Sequence, residues 1–218
     1  MRLAMMPKKS SHKITSSGLV RADHKTDPLF TLLMGFVAYL AGGTLVGLLA
    51  AFFKFDVSGS FYDSAYPSDD FIILFVGAAI GGILLLLLFK IFTITTLIKT
   101  IVLSTLGIGC LFVIYFIEIL WLFASGFFIF HLAFLICFVL ANAVYGAFIG
   151  PIFIGARSIG FSALVCGLTA IPFGLLSWQT SGLVLAGINL AAMVLVASLG
   201  ATTGLSIGLY RLLKTKEE

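Results

Sequence analysis

PLFTLLMGFVAYLAGGTLVGLLAAFF, residues 28 to 53, contains no charged side chain. A hydrocarbon core about 30 Å thick requires about 20 consecutive helical residues, so this stretch reads as a membrane span. Its start is marked in the sequence. Asp27 can accept from free backbone N–H groups at a helix N-terminus, and Pro28 needs no N–H partner at the first helical position.

Five further stretches meet or approach the same length: 71–91, 101–123, 127–150, 159–176 and 183–213. The expected fold is therefore an all-α, polytopic transmembrane bundle of about six spans. A polar basic tail, 1–27, precedes the six-helix domain, 28–213, and a short polar tail, 214–218, follows it. Ser68, Asp69 and Asp70 are placed to cap the second span, Ala124, Ser125 and Gly126 to turn between the third and fourth, and Ser177 to Gly182 to turn between the fifth and sixth. Trp178 in that last turn suits an interfacial anchor.

Composition agrees with this reading. Of the 218 residues 61% are apolar and 10% charged, against roughly 45 to 50% and about 25% in an ordinary soluble domain. So few charges cannot cover a water-facing exterior, whereas a lipid-facing one needs none.

The net charge of +4 matters less than where the charges stand. Lys and Arg fall at 2, 8, 9, 13, 21, 25, 90, 99, 157, 211, 214 and 216 on one side of the six-span arrangement, and only Lys54 falls on the other. That asymmetry places both ends on the cytoplasm-like side. The acids Asp56, Asp63, Asp69 and Asp70 gather in the opposite loop. The expected setting is a bacterial inner (plasma) membrane, with an organellar membrane as the alternative, since the Ser-rich basic tail also resembles transit-peptide chemistry. The expected surroundings are the lipid bilayer, a second copy or other membrane subunits, and no nucleic acid.

Glycines recur every four residues within the spans: Gly43 and Gly47, Gly77 and Gly81, Gly146 and Gly150, and Gly200, Gly204 and Gly208. Each set lies on one helix face, where glycine permits close backbone approach between helices in lipid. Intramolecular packing is the simpler reading, a subunit contact the other. Pro172, inside the fifth span, removes a helical donor and crowds the carbonyl of Leu168, so a kink is expected.

Ionisable groups within the spans are few. Glu118 lies seven residues before Ser125 and His131 six after it, which places them at similar depth, roughly 9 to 10 Å from the turn at about 1.5 Å per residue. Facing each other they could share a proton or pair as ions. Asn189, early in the sixth span, falls at a comparable level. The competing reading has Glu118 and His131 reaching the headgroup zone separately, with Asn189 bonded to nearby backbone. Asn142 reads as interhelical glue.

Cys110, Cys137 and Cys166 have neither metal nor disulfide spacing, and one membrane histidine cannot supply paired haem or zinc ligands. No catalytic or Walker-type motif is present, so neither enzyme activity nor a cofactor is expected. A faint echo between Phe36-Val37-Ala38-Tyr39 and Phe138-Val139-Leu140-Ala141 hints at two halves. Two functions remain: a small permease or channel-like protein with Glu118, His131 and Asn189 on its polar path, or a noncatalytic subunit of a larger membrane assembly.

Overall fold

The computed structural model describes residues 27–52, 68–125, 130–180, 184–185 and 188–217. Its helices are α1 (Pro28–Phe52), α2 (Ser68–Leu88), α3 (Ile94–Ser125), α4 (Phe130–Ile154), α5 (Ile159–Thr169), α6 (Ile171–Gln179) and α7 (Leu190–Glu217), with a 3-10 turn at Ala156–Ser158. A small antiparallel hairpin, β1 (Val184–Leu185) paired with β2 (Ile188–Asn189), precedes α7.

These helices form a bundle whose exterior is apolar and whose apolar core also holds buried hydroxyl groups. Leu29, Leu33, Val37, Leu164 and Leu168 are each at least half exposed, whereas Thr31, Ser104, Asn142, Ser162, Ser198, Thr202 and Ser206 are buried. An apolar exterior with polar groups kept inside is the distribution that lipid selects, because polar groups in a bilayer must pair within the protein. Among the described residues, three helical segments are long and apolar enough to cross a membrane: Pro28–Leu49, Phe134–Ile154 and Met193–Thr215. The bent pair α5–α6 makes a fourth if counted as one span, and Leu74–Leu88 and Ile94–Cys110 are shorter apolar helices.

α1 is sandwiched between α2 and α7. Its start is capped by Asp27, whose Oδ1 accepts from the Leu29 N–H at 3.0 Å. On one side of α1, a Cβ added to Gly42 would stand 2.7 Å from the Gly77 carbonyl oxygen of α2. On the other, a Cβ at Gly35 would overlap the Gly200 carbonyl of α7, one at Gly204 the Thr31 carbonyl, and one at Gly208 the Thr31 hydroxyl. The α1–α7 contact is thus made at backbone distance, where dispersion between two closely apposed main chains supplies the attraction. α4 touches α3, α5, α6 and α7, and its Gly146 and Gly150 receive Cys166 and Ser162 of α5.

Several boundaries differ from the sequence reading. α3 begins at Ile94 rather than 101, because Thr93 and Thr96 form a reciprocal cap: the Thr93 N–H donates to Thr96 Oγ1 at 2.8 Å and the Thr96 N–H to Thr93 Oγ1 at 3.1 Å. α7 begins at Leu190 rather than 183, with the hairpin before it; Val184 and Ile188 are β-branched, and Gly182 and Gly187 disfavour helix. Asn189 therefore stands on β2, not within the last helix, while the fold as a whole is the expected all-α bundle apart from these two two-residue strands. α7 also continues to Glu217, through what reads as a polar tail. The fifth segment is two helices, bent by 44° at Ala170, where Pro172 has no N–H for the Leu168 carbonyl.

The corner between α2 and α3 is closed by two bonds. The Lys90 N–H donates to the Leu87 carbonyl at 3.0 Å and the Ile91 N–H to the Leu86 carbonyl at 3.1 Å, the pattern of a Schellman C-cap. Lys90 occupies its left-handed position, φ 56°, where glycine is usual. Phe89, buried beside it, packs edge-on against Phe153 of α4 with centroids 5.5 Å apart. Over the Phe89 ring, at 4.8 Å, lies the guanidinium of Arg211 from α7.

Candidate polar path through the bundle

The residues singled out from the sequence sit at different places. Glu118 is on α3 and His131 on α4, two helices that contact each other, and Asn189 is on β2, which packs against α1 and α7. The side chains of these three residues, and the connection 126–129, lie outside the described residues. The glycines occupy helix contacts. Gly43 faces Met193 and Val196 of α7, Gly77 the backbone of Gly43, and Gly81 the ring of Tyr39; Gly47 is buried.

The structure brings together a different set of polar groups. At the centre, Tyr39 of α1 and Tyr145 of α4 share a hydrogen bond between hydroxyls at 2.9 Å, their rings perpendicular with centroids 6.0 Å apart. Ser104 of α3 joins the Tyr145 hydroxyl at 3.1 Å. Room for this junction comes from two glycines. A Cβ at Gly82 of α2 would lie 2.6 Å from Thr100 Cγ2 and 3.5 Å from both Ser104 Oγ and the Tyr39 hydroxyl, and one at Gly107 of α3 would press on the Tyr145 ring at 3.0 Å.

One turn from Tyr145 along α4, Asn142 anchors a second cluster. Its Nδ2 donates to the Phe138 carbonyl at 3.1 Å, and its Oδ1 accepts from Ser198 at 3.3 Å and Thr202 at 3.1 Å, both on α7. Each of these hydroxyls carries one proton and also lies within reach of a carbonyl on its own helix, Leu195 at 2.7 Å and Ser198 at 2.8 Å. The proton is therefore divided between Asn142 and the backbone, a common habit of Ser and Thr in membrane helices. Further along α7, Ser206 donates to Ser162 of α5 at 3.2 Å. Cys166, one turn from Ser162, faces Thr202, Thr203 and Ser206.

Helices α1, α3, α4, α5 and α7 thus contribute to a row of buried hydroxyl, amide and thiol groups extending from the bundle centre toward the end where Pro28 meets Gly208. Two members stand apart. Thr100 Oγ1 and Thr203 Oγ1 are buried and have no hydrogen-bond partner among the described residues. Each such hydroxyl costs about 1 to 3 kcal/mol in desolvation that nothing offsets.

Sequence reasoning singled out Asn142 but missed Tyr39, Tyr145, Ser104, Thr202 and Ser206. Tyrosine and hydroxyl residues are ordinary within apolar spans, and only the packing of separate helices brings each of these five to its partner. Among the described residues no three His, Cys, Asp or Glu side chains gather closely enough to hold a metal ion. Comparison with protein families, with curated proteins and with solved structures finds no match.

Proposed function

We propose that this chain is a small permease or channel-like protein, crossing the membrane six times with both ends on one side, that moves a small polar solute or ion along the interior of its helices. The observation that carries the reading is the row of buried polar side chains, above all Thr100, whose hydroxyl has no hydrogen-bond partner among the described residues, and Thr203, whose hydroxyl has only the weakly bonding Cys166 thiol to face. Helices in lipid need no polar core to associate, and an unpaired buried hydroxyl is an expense that a passing hydrogen-bonding solute, or water travelling with it, would relieve. Glu118 on α3, His131 on α4 and Asn189 on β2 remain the candidates for continuing that row.

The test is flux in proteoliposomes, surveyed over small neutral solutes and monovalent ions, for the wild type, Thr203→Val and Glu118→Gln. Valine keeps the volume of threonine while deleting a hydroxyl that faces only the weakly bonding Cys166 thiol, so Thr203→Val should leave the thermal midpoint unchanged or raised. A flux reduced at least ten-fold in a normally folded Thr203→Val protein is the expected result. Flux unaltered in both variants would remove the transport reading.

A second reading, a noncatalytic subunit of a membrane assembly, is favoured by how completely Tyr39, Tyr145, Ser104, Asn142, Ser198 and Thr202 satisfy one another. Under it the same groups are glue between helices. No flux for any solute, together with stoichiometric copurification of another membrane protein after mild solubilisation, would establish it.

A further inference from the structure

The α2–α3 corner sets cationic side chains beside exposed apolar ones, the two kinds of surface that an amphiphile presents in reverse. The first is fixed positive charge. Lys90 is exposed and stands next to Phe89, whose ring carries the Arg211 guanidinium at 4.8 Å. The second is apolar surface at the same level: Phe92 is 45% exposed, Ile94 75% and Ile98 56%. Both lie on a rigid frame, because the Schellman cap of α2 and the threonine cap of α3 close the chain within a few residues. Lysine also sits where glycine would be less strained; a non-glycine residue held at such an angle directs attention to its side chain.

We infer that this corner is a binding site for an anionic phospholipid, its phosphate held between Lys90 and Arg211 and its acyl chains lying along Phe92, Ile94 and Ile98. A free phosphate would use the two cations and leave the three apolar side chains uncovered; a zwitterionic lipid would cover them but bring a cationic group to a cationic corner. Only a lipid of net negative charge matches both. Lys99 and Arg157, also exposed at this end of the bundle, strengthen the same preference. The site needs the chain to be embedded in a membrane but does not depend on transport, and its test is indifferent to flux.

The full chain, purified in neutral detergent, is titrated with phosphatidylglycerol, with phosphatidylcholine and with inorganic phosphate while the thermal midpoint is followed. Phosphatidylglycerol should raise the midpoint saturably, and the other two should not. Lys90→Gly relieves the left-handed backbone, so the lipid-free protein should be at least as stable as wild type. Its apparent affinity for phosphatidylglycerol should fall about five-fold, the loss typical of one cation near a lipid surface. Lys90→Asn, which tolerates the same backbone angle without the charge, should lose as much. An equal response to phosphatidylcholine, an equal response to inorganic phosphate, or undiminished affinity in both Lys90 variants would each overturn the inference.

Discussion

At Tyr145 a single oxygen serves two helices besides its own, meeting Tyr39 of α1 at 2.9 Å and Ser104 of α3 at 3.1 Å. Tyr145→Phe keeps the ring and its edge-on contact with Tyr39 but strands both partners. The expected loss is about 1 to 3 kcal/mol, read from unfolding in detergent. Tyr39→Phe removes only one bond and should cost less, and the double variant should cost less than the two single effects combined, because they share one interaction. Additive effects would mean the two hydroxyls do not communicate. Little of this was legible beforehand. Asp27-Pro28 announces a helix start from chemistry confined to two adjacent residues, and the Leu29 N–H does donate to Asp27. The tyrosines announce nothing, since their significance lies in a contact between residues 106 positions apart.

Among the helices, glycine spacing pointed to faces of close approach but not to the whole of any interface. Gly35 and Gly42 escaped the four-residue pattern, yet they oppose Gly200 and Gly77 directly; a glycine without a partner on its own helix can be half of a pair across two. Gly200→Ala would drive a methyl group into the Gly35 carbonyl and the Tyr39 ring, and overpacking of this kind should cost about 3 kcal/mol. Gly109 of α3 is the control. Nothing lies within 4 Å of its added Cβ, so Gly109→Ala should stabilise by about 1 kcal/mol through helix propensity alone. Thermal midpoints of the two variants should move in opposite directions. Boundaries were the least legible feature of the elements. Threonine at both ends of the α3 cap replaces the more recognisable Glu or Gln partner, and the strand pair before α7 is hidden in an apolar run that continues without interruption into the helix.

Taken as a whole, the molecule places the start of α1 and the last turns of α7 at one end, where Gly208 meets Pro28, and Lys90, Lys99, Arg157, Arg211 and Lys214 are carried by the elements that reach it. Charge counting along the chain, which depends on sequence order rather than on packing, is what predicts both ends on one side of the membrane. With the three native cysteines replaced, single cysteines at Ser11 and at Thr215 should react with a membrane-impermeant thiol reagent from the same side of sealed vesicles. Labelling from opposite sides would require an odd number of crossings and would refute the six-span arrangement.

The apposition of α1 and α7 also constrains how the protein is made. About 170 residues of chain lie between Thr31 and the Gly204 it touches, or roughly ten to thirty seconds of translation at about 5 to 20 residues per second. Throughout that interval the first helix waits in the bilayer with its glycine groove uncovered, held on its other flank by α2. A ribosome that stalls before α7 would leave behind an orphaned groove, recognisable to any quality-control protease that patrols the membrane for unfinished proteins.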